Sequence, residues 1–223
     1  MQTMKRLLIF DFDGTIASGT NEKYMDCFDV AIKATNVILD PQIQKERLLE
    51  FWGKGAKTQL GNALQDHPEK IDSSVKTFRT CTSGTDFFSD VTILDNVIET
   101  LKKLKNSGHT LAIASGSQRN PIDRLLSKYK IDYLFSNIIS SNDIDDPKKR
   151  KPNPYMLDIT MKELGFNKSD TYYIGDASTD IQTAKAAGVN SVAVLTGHMN
   201  LATAKQLHPD SIIANISELE TTL

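Results

Sequence analysis

Leu7-Leu8-Ile9-Phe10-Asp11-Phe12-Asp13-Gly14-Thr15 joins four uninterrupted apolar residues to two carboxylates, a glycine and a hydroxyl. A short apolar run of this kind predicts a central parallel strand covered on both faces, and such strands carry their chemistry at the carboxyl end. Side chains alternate along a strand, so Asp11 and Asp13 can face one crevice while Phe12 turns into the packed interior. Gly14 allows the chain to turn sharply there through a positive φ.

Beyond this strand the pattern changes. Residues 20–83 show helical periodicity, with Tyr24, Phe28, Ala31 and Ile32 on one face, then Ile43, Leu48 and Phe51, then Leu60 and Leu64, then Ile71, Val75 and Phe78. Three or four successive helices are expected, followed by a linker at Ser83-Gly84-Thr85-Asp86. From there strand and helix signals alternate. Strands are read at Leu111–Ala114, Ser136–Ser140, Thr171–Ile174, Ser191–Leu195 and Ile212-Ile213. Asp95 and Asn120 are read as helix N-caps, as is Asn153 before Pro154, with Gly165 and Gly188 as helix ends. Alternation of this kind implies right-handed crossovers and a doubly wound parallel sheet. The fold class is thus α/β, a Rossmann-like core with a small helical cap inserted after the first strand. The core takes residues 1–16 and 88–223, and the cap takes 17–87.

The 223 residues carry 26 Lys plus Arg against 28 Asp plus Glu. That balance argues against a general binder of nucleic acid or anionic membranes and favours a small-molecule partner. No apolar run approaches the roughly 18 residues of a membrane span. Cys27 and Cys81 lie far apart and form neither a disulfide framework nor a spaced zinc site, so both are read as free thiols in a reducing, cytoplasmic compartment. His67, His109, His198 and His208 are read as surface residues. A monomer or weak homodimer is expected.

Asp-Phe-Asp-Gly-Thr directly after an apolar strand resembles the first motif of the haloacid dehalogenase superfamily of phosphohydrolases. Three further stretches are similar to that family's remaining motifs, in its order. Ser115 follows the strand Leu111–Ala114, with Gly116 offering a backbone N–H. Lys151 directly precedes Pro152-Asn153-Pro154, and Lys149 is the fallback within the run Lys148-Lys149-Arg150, which also resembles a nuclear-localisation signal. Gly175-Asp176-Ala177-Ser178-Thr179-Asp180 follows the strand Thr171–Ile174. The resemblance covers nearly the whole chain and points to the phosphoglycolate phosphatase and beta-phosphoglucomutase branch. The chain departs from it at Ile16-Ala17-Ser18, which supplies no acid at position 17, and at Ile93-Leu94-Asp95-Asn96, where Pro-Gly is common.

The resemblance implies that Asp11 attacks phosphorus and forms an aspartyl-phosphate, while Asp13 protonates the leaving oxygen and then activates water. Thr15, Ser115 and Lys151 would position the phosphoryl group. Asp11 and Asp176 would bind a metal through their carboxylates and Asp13 through its backbone carbonyl, with Asp180 orienting a metal-bound water or Lys151. Four acids in one crevice with a single lysine would repel one another, and a divalent cation removes that conflict; oxygen-only ligation favours Mg²⁺. The expected function is a Mg²⁺-dependent phosphatase acting on a small phosphorylated metabolite. The alternatives are a phosphosugar mutase, towards which Ser115-Gly116-Ser117 leans, and a non-enzymatic binding protein on the same fold. A dehalogenase is disfavoured, because that branch lacks the acid that Asp13 supplies. In the cap, Phe51–Thr58 is read as a flexible turn from which Lys54 and Lys57 could meet the leaving group.

Overall fold

The computed structural model describes residues 5–52, 54–84, 87 and 90–223. Gly53 of the cap turn and Thr85-Asp86 of the linker lie outside the described residues. The chain divides into two compact units, one of residues 1–18 and 92–223, the other of residues 19–91.

The first unit is built on a six-stranded parallel sheet. Its strands are β1 (Leu7–Phe10), β4 (Thr110–Ala114), β5 (Phe135–Ile139), β6 (Thr171–Gly175), β7 (Asn190–Val194) and β8 (Ser211–Ile213), in the order β5-β4-β1-β6-β7-β8. Two short antiparallel strands, β2 (Ala17–Ser18) and β3 (Thr92–Ile93), pair at the boundary with the second unit. Every residue of β1 is fully buried, as its unbroken apolar sequence requires. Full burial is worth about 1.5–3 kcal/mol for each large apolar side chain. One face of the sheet, carrying Leu7, Ile9 and Ala112, packs on Met156, Leu157 and Met161 of α7 (Tyr155–Leu164) and Ala184 and Ala187 of α8 (Ser178–Ala187). Helix α5 (Val97–Asn106) packs beside β4 and buries Val97, Leu101 and Leu104, while α6 (Arg119–Lys128) buries Ile122, Leu125 and Leu126. A last helix, α9 (Leu201–Leu207), packs Ala204 with Ile181, Ala193 and Met199.

Two expected helix starts are corrected. Asp95 does not cap α5; Asn96, at φ 63, turns the chain so that the helix begins one residue later. Nor does Asn120 cap α6, which starts at Arg119, where Asn142 Oδ1 from the loop after β5 accepts the Arg119 N–H at 2.9 Å. A residue distant in sequence has taken the capping role. Asn153 does accept from Tyr155 N at 3.0 Å, and Gly165 and Gly188 end α7 and α8.

The second unit holds four helices, α1 (Thr20–Lys33), α2 (Pro41–Glu50), α3 (Ala56–Ala63) and α4 (Ile71–Ser83). Its interior is aromatic: Phe28 stacks on Phe78 at 4.3 Å and meets Trp52 edge-on at 6.2 Å, while Tyr24 lies 5.0 Å from Phe87. Ile43 is exposed, so α2 buries only Leu48. The free-thiol reading is overturned. Packing of α1 beside α4 brings the Cα atoms of Cys27 and Cys81 to 5.6 Å, and the two are joined in a disulfide. The cross-link removes the thiol argument for a reducing compartment. No helix among the described residues is long and apolar enough to cross a membrane.

Candidate active site

Because β1 lies between β4 and β6, the carboxyl ends of three adjacent strands form one rim. Asp11, Ser115 and Asp176 stand on it, directly after β1, β4 and β6. The strand order reverses across this point, running outward through β4-β5 on one side of β1 and through β6-β7-β8 on the other, which is where open α/β sheets bind ligands.

Asp11 is buried, and its backbone N–H donates to Ile174 O at 2.8 Å, so β1 and β6 stay paired up to Asp11. Lys151 is also buried. Its Nζ lies 2.8 Å from Asp11 Oδ1 and 2.8 Å from Asp180 Oδ1. The lysine thus bridges the two carboxylates, one directly after β1 and the other on α8. Burial pulls the Lys151 ammonium down, but Asp11 and Asp180 outweigh it and raise the net pKa, so the lysine stays charged. Burial, aided by Asp11 and Asp176, pushes Asp180 up to about 7 against the opposite pull of Lys151.

Asp180 is fully engaged. Besides Lys151, its Oδ1 lies 3.2 Å from Tyr173 Oη and its Oδ2 accepts Ala177 N–H at 2.9 Å. Tyr173 is fully buried with its hydroxyl also 2.8 Å from Ala114 O, and burial beside Asp180 and Asp11 raises its pKa and keeps the phenol protonated. It ties the ends of β4 and β6 to the lysine partner.

Asp176 is enclosed by backbone. Its Oδ2 accepts His198 N–H at 2.8 Å and lies 3.1 Å from His198 Nδ1, while its carbonyl accepts Met199 N–H at 2.9 Å. A side chain on Gly197 would put its Cβ 1.9 Å from Asp176 Oδ2, and one on Gly14, at φ 71, would come within 2.4 Å of the same oxygen. Only glycine allows both loops to close on the carboxylate. Thr196 Oγ1 donates to Gly14 O at 2.6 Å and holds the two loops together.

Of the expected phosphate-positioning residues, Ser115 is on the rim, where its Oγ accepts Ser117 N–H at 3.2 Å, and Gly116 is exposed beside it. Thr15 is fully buried, and its hydroxyl turns to Asp176 Oδ1 at 3.4 Å. Lys149 lies over the Tyr155 ring at 4.6 Å and is exposed, and Arg150 donates to Ile144 O, so the basic run packs locally and Lys151 alone of it reaches the acids. Lys54 and Lys57 belong to the helical unit. There Lys54 is exposed over the Phe51 ring at 5.1 Å and Lys57 pairs with Asp72 at 2.8 Å.

The surface reading of the histidines fails at His109, while His198 is exposed yet partnered. His109 is buried and accepts Arg6 N–H at Nδ1, and burial with the nearby Arg6 charge lowers its pKa. His198 sits on Asp176; burial pulls its pKa down, but hydrogen bonding to and the charge of Asp176 raise it overall. Two signals were available in the sequence: a tyrosine inside a buried strand must satisfy its hydroxyl, and Thr196-Gly197-His198 follows β7 on the same rim.

Asp11, Asp176 and Asp180 offer carboxylate oxygens within 4.8 Å of one another, the donor set and spacing of a hard-cation site. With Asp180 occupied by Lys151, Tyr173 and Ala177, the pair left to face a cation is Asp11 and Asp176. The residues therefore fit a magnesium ion.

A family model for haloacid dehalogenase-like hydrolases matches residues 8–194. Among curated proteins, a phosphoglycolate phosphatase of Photorhabdus laumondii is 28% identical over 98% of this chain and 92% of its own length. The pyrophosphatase PpaX of Oceanobacillus iheyensis is 29% identical over 97% of this chain and 95% of its own. In fold, a Bacteroides fragilis protein described as a haloacid dehalogenase-like hydrolase superposes with a TM-score of 0.85 at 22% identity, covering 96% of this chain and 99% of that one.

Proposed function

Since the chain belongs to the haloacid dehalogenase-like hydrolase family, we propose that it is a Mg²⁺-dependent phosphatase that hydrolyses a small phosphomonoester through an aspartyl-phosphate on Asp11. The observation that carries this reading is the buried Lys151 bridging Asp11 and Asp180 at 2.8 Å each. A charged lysine fixed there orients the Asp11 side chain proposed as nucleophile, and it offers a positive charge to the phosphoryl oxygens.

In this reading Asp11 attacks phosphorus as Asp13 protonates the leaving oxygen. Asp13 then takes a proton from the water that attacks the aspartyl-phosphate and releases inorganic phosphate. Ser115 Oγ and the Gly116 N–H bind phosphoryl oxygens without adding charge. Asp11 and Asp176 would hold Mg²⁺ through carboxylates and Asp13 through its backbone carbonyl. Bound there, the cation would neutralise the crowded acids and draw charge from the phosphoryl group. Asp180 keeps Lys151 in place, and His198 with Gly197 keeps Asp176 in place.

Relatives named for phosphoglycolate and for pyrophosphate make those two compounds the first to assay. Inorganic phosphate release is expected from at least one member of a panel of phosphoglycolate, pyrophosphate, sugar phosphates and nucleotides, lost in EDTA and restored by Mg²⁺. Isomerisation of a sugar phosphate faster than phosphate release would replace this reading with a mutase. No turnover of any member, together with no Mg²⁺ binding by calorimetry, would contradict both.

A further inference from the structure

Asp13 is not alone on its side of the rim. Its Oδ2 accepts a hydrogen bond from Ser117 Oγ, a residue that the four motifs leave without a role. Ser117 is 7% exposed, and its backbone is held from two directions. Its N–H donates to Ser115 Oγ at 3.2 Å, and its carbonyl accepts Ser141 N–H at 2.9 Å from the loop after β5. That second loop is itself fixed. Asp143 Oδ2 accepts both Ser140 N–H, at 2.8 Å, and Ser140 Oγ–H, at 2.7 Å, and Asn142 Oδ1 holds the first residue of α6. Two loops thus fix the Ser117 backbone, and a single side-chain torsion carries its hydroxyl to Asp13.

Resting on the aspartyl-phosphate reading above, we propose that Ser117 is a positioning residue for Asp13, holding Oδ2 so that Oδ1 delivers the proton to the leaving oxygen. In the step concerned, the bond from Asp11 to phosphorus forms as the bond from phosphorus to the leaving oxygen breaks. The electron pair of the broken bond stays on that oxygen, which takes the proton from Asp13 Oδ1. Asp13 becomes a carboxylate, and the Ser117 hydroxyl then donates to a charged acceptor, a stronger bond than the one to the neutral acid. The gain appears only as charge develops on Asp13, which is the condition for an interaction to speed the step and not merely to aid binding. Without the hydroxyl the carboxyl group can rotate, and loss of alignment is costly for proton transfer.

Proton delivery matters most for a poor leaving group, and this separates positioning from a merely structural role. The test measures kcat/KM, which reports the first phosphoryl transfer, for p-nitrophenyl phosphate and for an alkyl phosphate of the panel above. Ser117→Ala is expected to lower kcat/KM on the alkyl phosphate about 10-fold more than on p-nitrophenyl phosphate, a part of the 10²–10⁴-fold that general acid catalysis supplies. Ser117→Thr, which keeps the hydroxyl, is expected to restore the wild-type ratio. Should the alanine variant not fold, Ser117→Cys keeps the bulk with a weak donor and is expected to show the same contrast. Equal losses on both substrates, or none, would overturn the role of Ser117. Asp13→Asn is run on the same pair: a loss there that ignores the leaving group would sink the acid role of Asp13, and with it the mechanism, independently of Ser117.

Discussion

Two ion pairs of the same length lie in the two units and do different things. Lys151 meets Asp180 at 2.8 Å with side chains 5% and 1% exposed, whereas Lys57 meets Asp72 at 2.8 Å with side chains 71% and 86% exposed. The first is surrounded by buried acids, a buried tyrosine and loops closed by glycine. The second stands in solvent on a helical unit whose interior is aromatic and cross-linked. Distance alone therefore says little about an ion pair; burial decides whether breaking it leaves a stranded charge or two solvated ones. The sheet unit buries Asp11, Asp176, Asp180 and Lys151 together, whereas Lys57 and Asp72 of the helical unit stay outside.

The sharpest way to break this comparison is to remove both lysines in turn. Lys151→Met leaves Asp180 buried without its cation and is expected to cost about 3 kcal/mol or more in metal-free buffer. Lys57→Ala is expected to change stability by less than about 0.5 kcal/mol. Chemical denaturation of each variant measures both, and similar losses would erase the distinction.

The disulfide gives the helical unit its own signature. Trp52 is the single tryptophan of the chain and lies in that unit, so its fluorescence follows the unit's unfolding. Cys27→Ser, or reduction of the wild type, is expected to lower the stability reported by Trp52 by about 2–4 kcal/mol. Intact-mass analysis with and without a thiol-alkylating reagent verifies that the cross-link forms; an unmoved Trp52 transition would show that it does not support the unit.

A matched pair of glycine substitutions sharpens the contrast further. Gly197→Ala drives a Cβ into Asp176 Oδ2 and is expected to lower kcat about 10²-fold and to weaken Mg²⁺ binding by calorimetry. Gly61→Ala, inside α3, meets nothing closer than Ile71 Cδ1 at 3.9 Å. It is expected to leave kcat unchanged and to stabilise the helical unit by up to about 1 kcal/mol. A harmless Gly197→Ala would remove the cradle from the account.

Much of the sheet unit was legible because its signals are local. An apolar run ending in acids marks β1 and its rim, and glycines after Leu164 and Ala187 mark helix ends. What the sequence hid was decided by contacts across the fold. Asn142 caps α6 from another loop, Thr15 turns inward to Asp176, and His198 reaches Asp176 from 22 residues away. Cys27 and Cys81, 54 residues apart, are brought together only by the packing of α1 on α4. None of these pairs has a sequence spacing that announces it. Ser117 was in plain view two residues after Ser115, yet its partner Asp13 lies 104 residues earlier.

The central claim is that Asp11 carries the phosphoryl group during turnover, and it can be read from the covalent state of that residue. Enzyme quenched during turnover of its preferred substrate and treated with borohydride should yield homoserine at position 11, because an acyl phosphate is reduced where a free carboxylate is not. Peptide mass spectrometry locates the change. The account predicts homoserine at Asp11 alone, and none in Asp11→Asn, whose turnover should fall by about 10⁴-fold or more. Steady release of inorganic phosphate with no homoserine at position 11, or with homoserine at Asp13 or Asp176 instead, would contradict it.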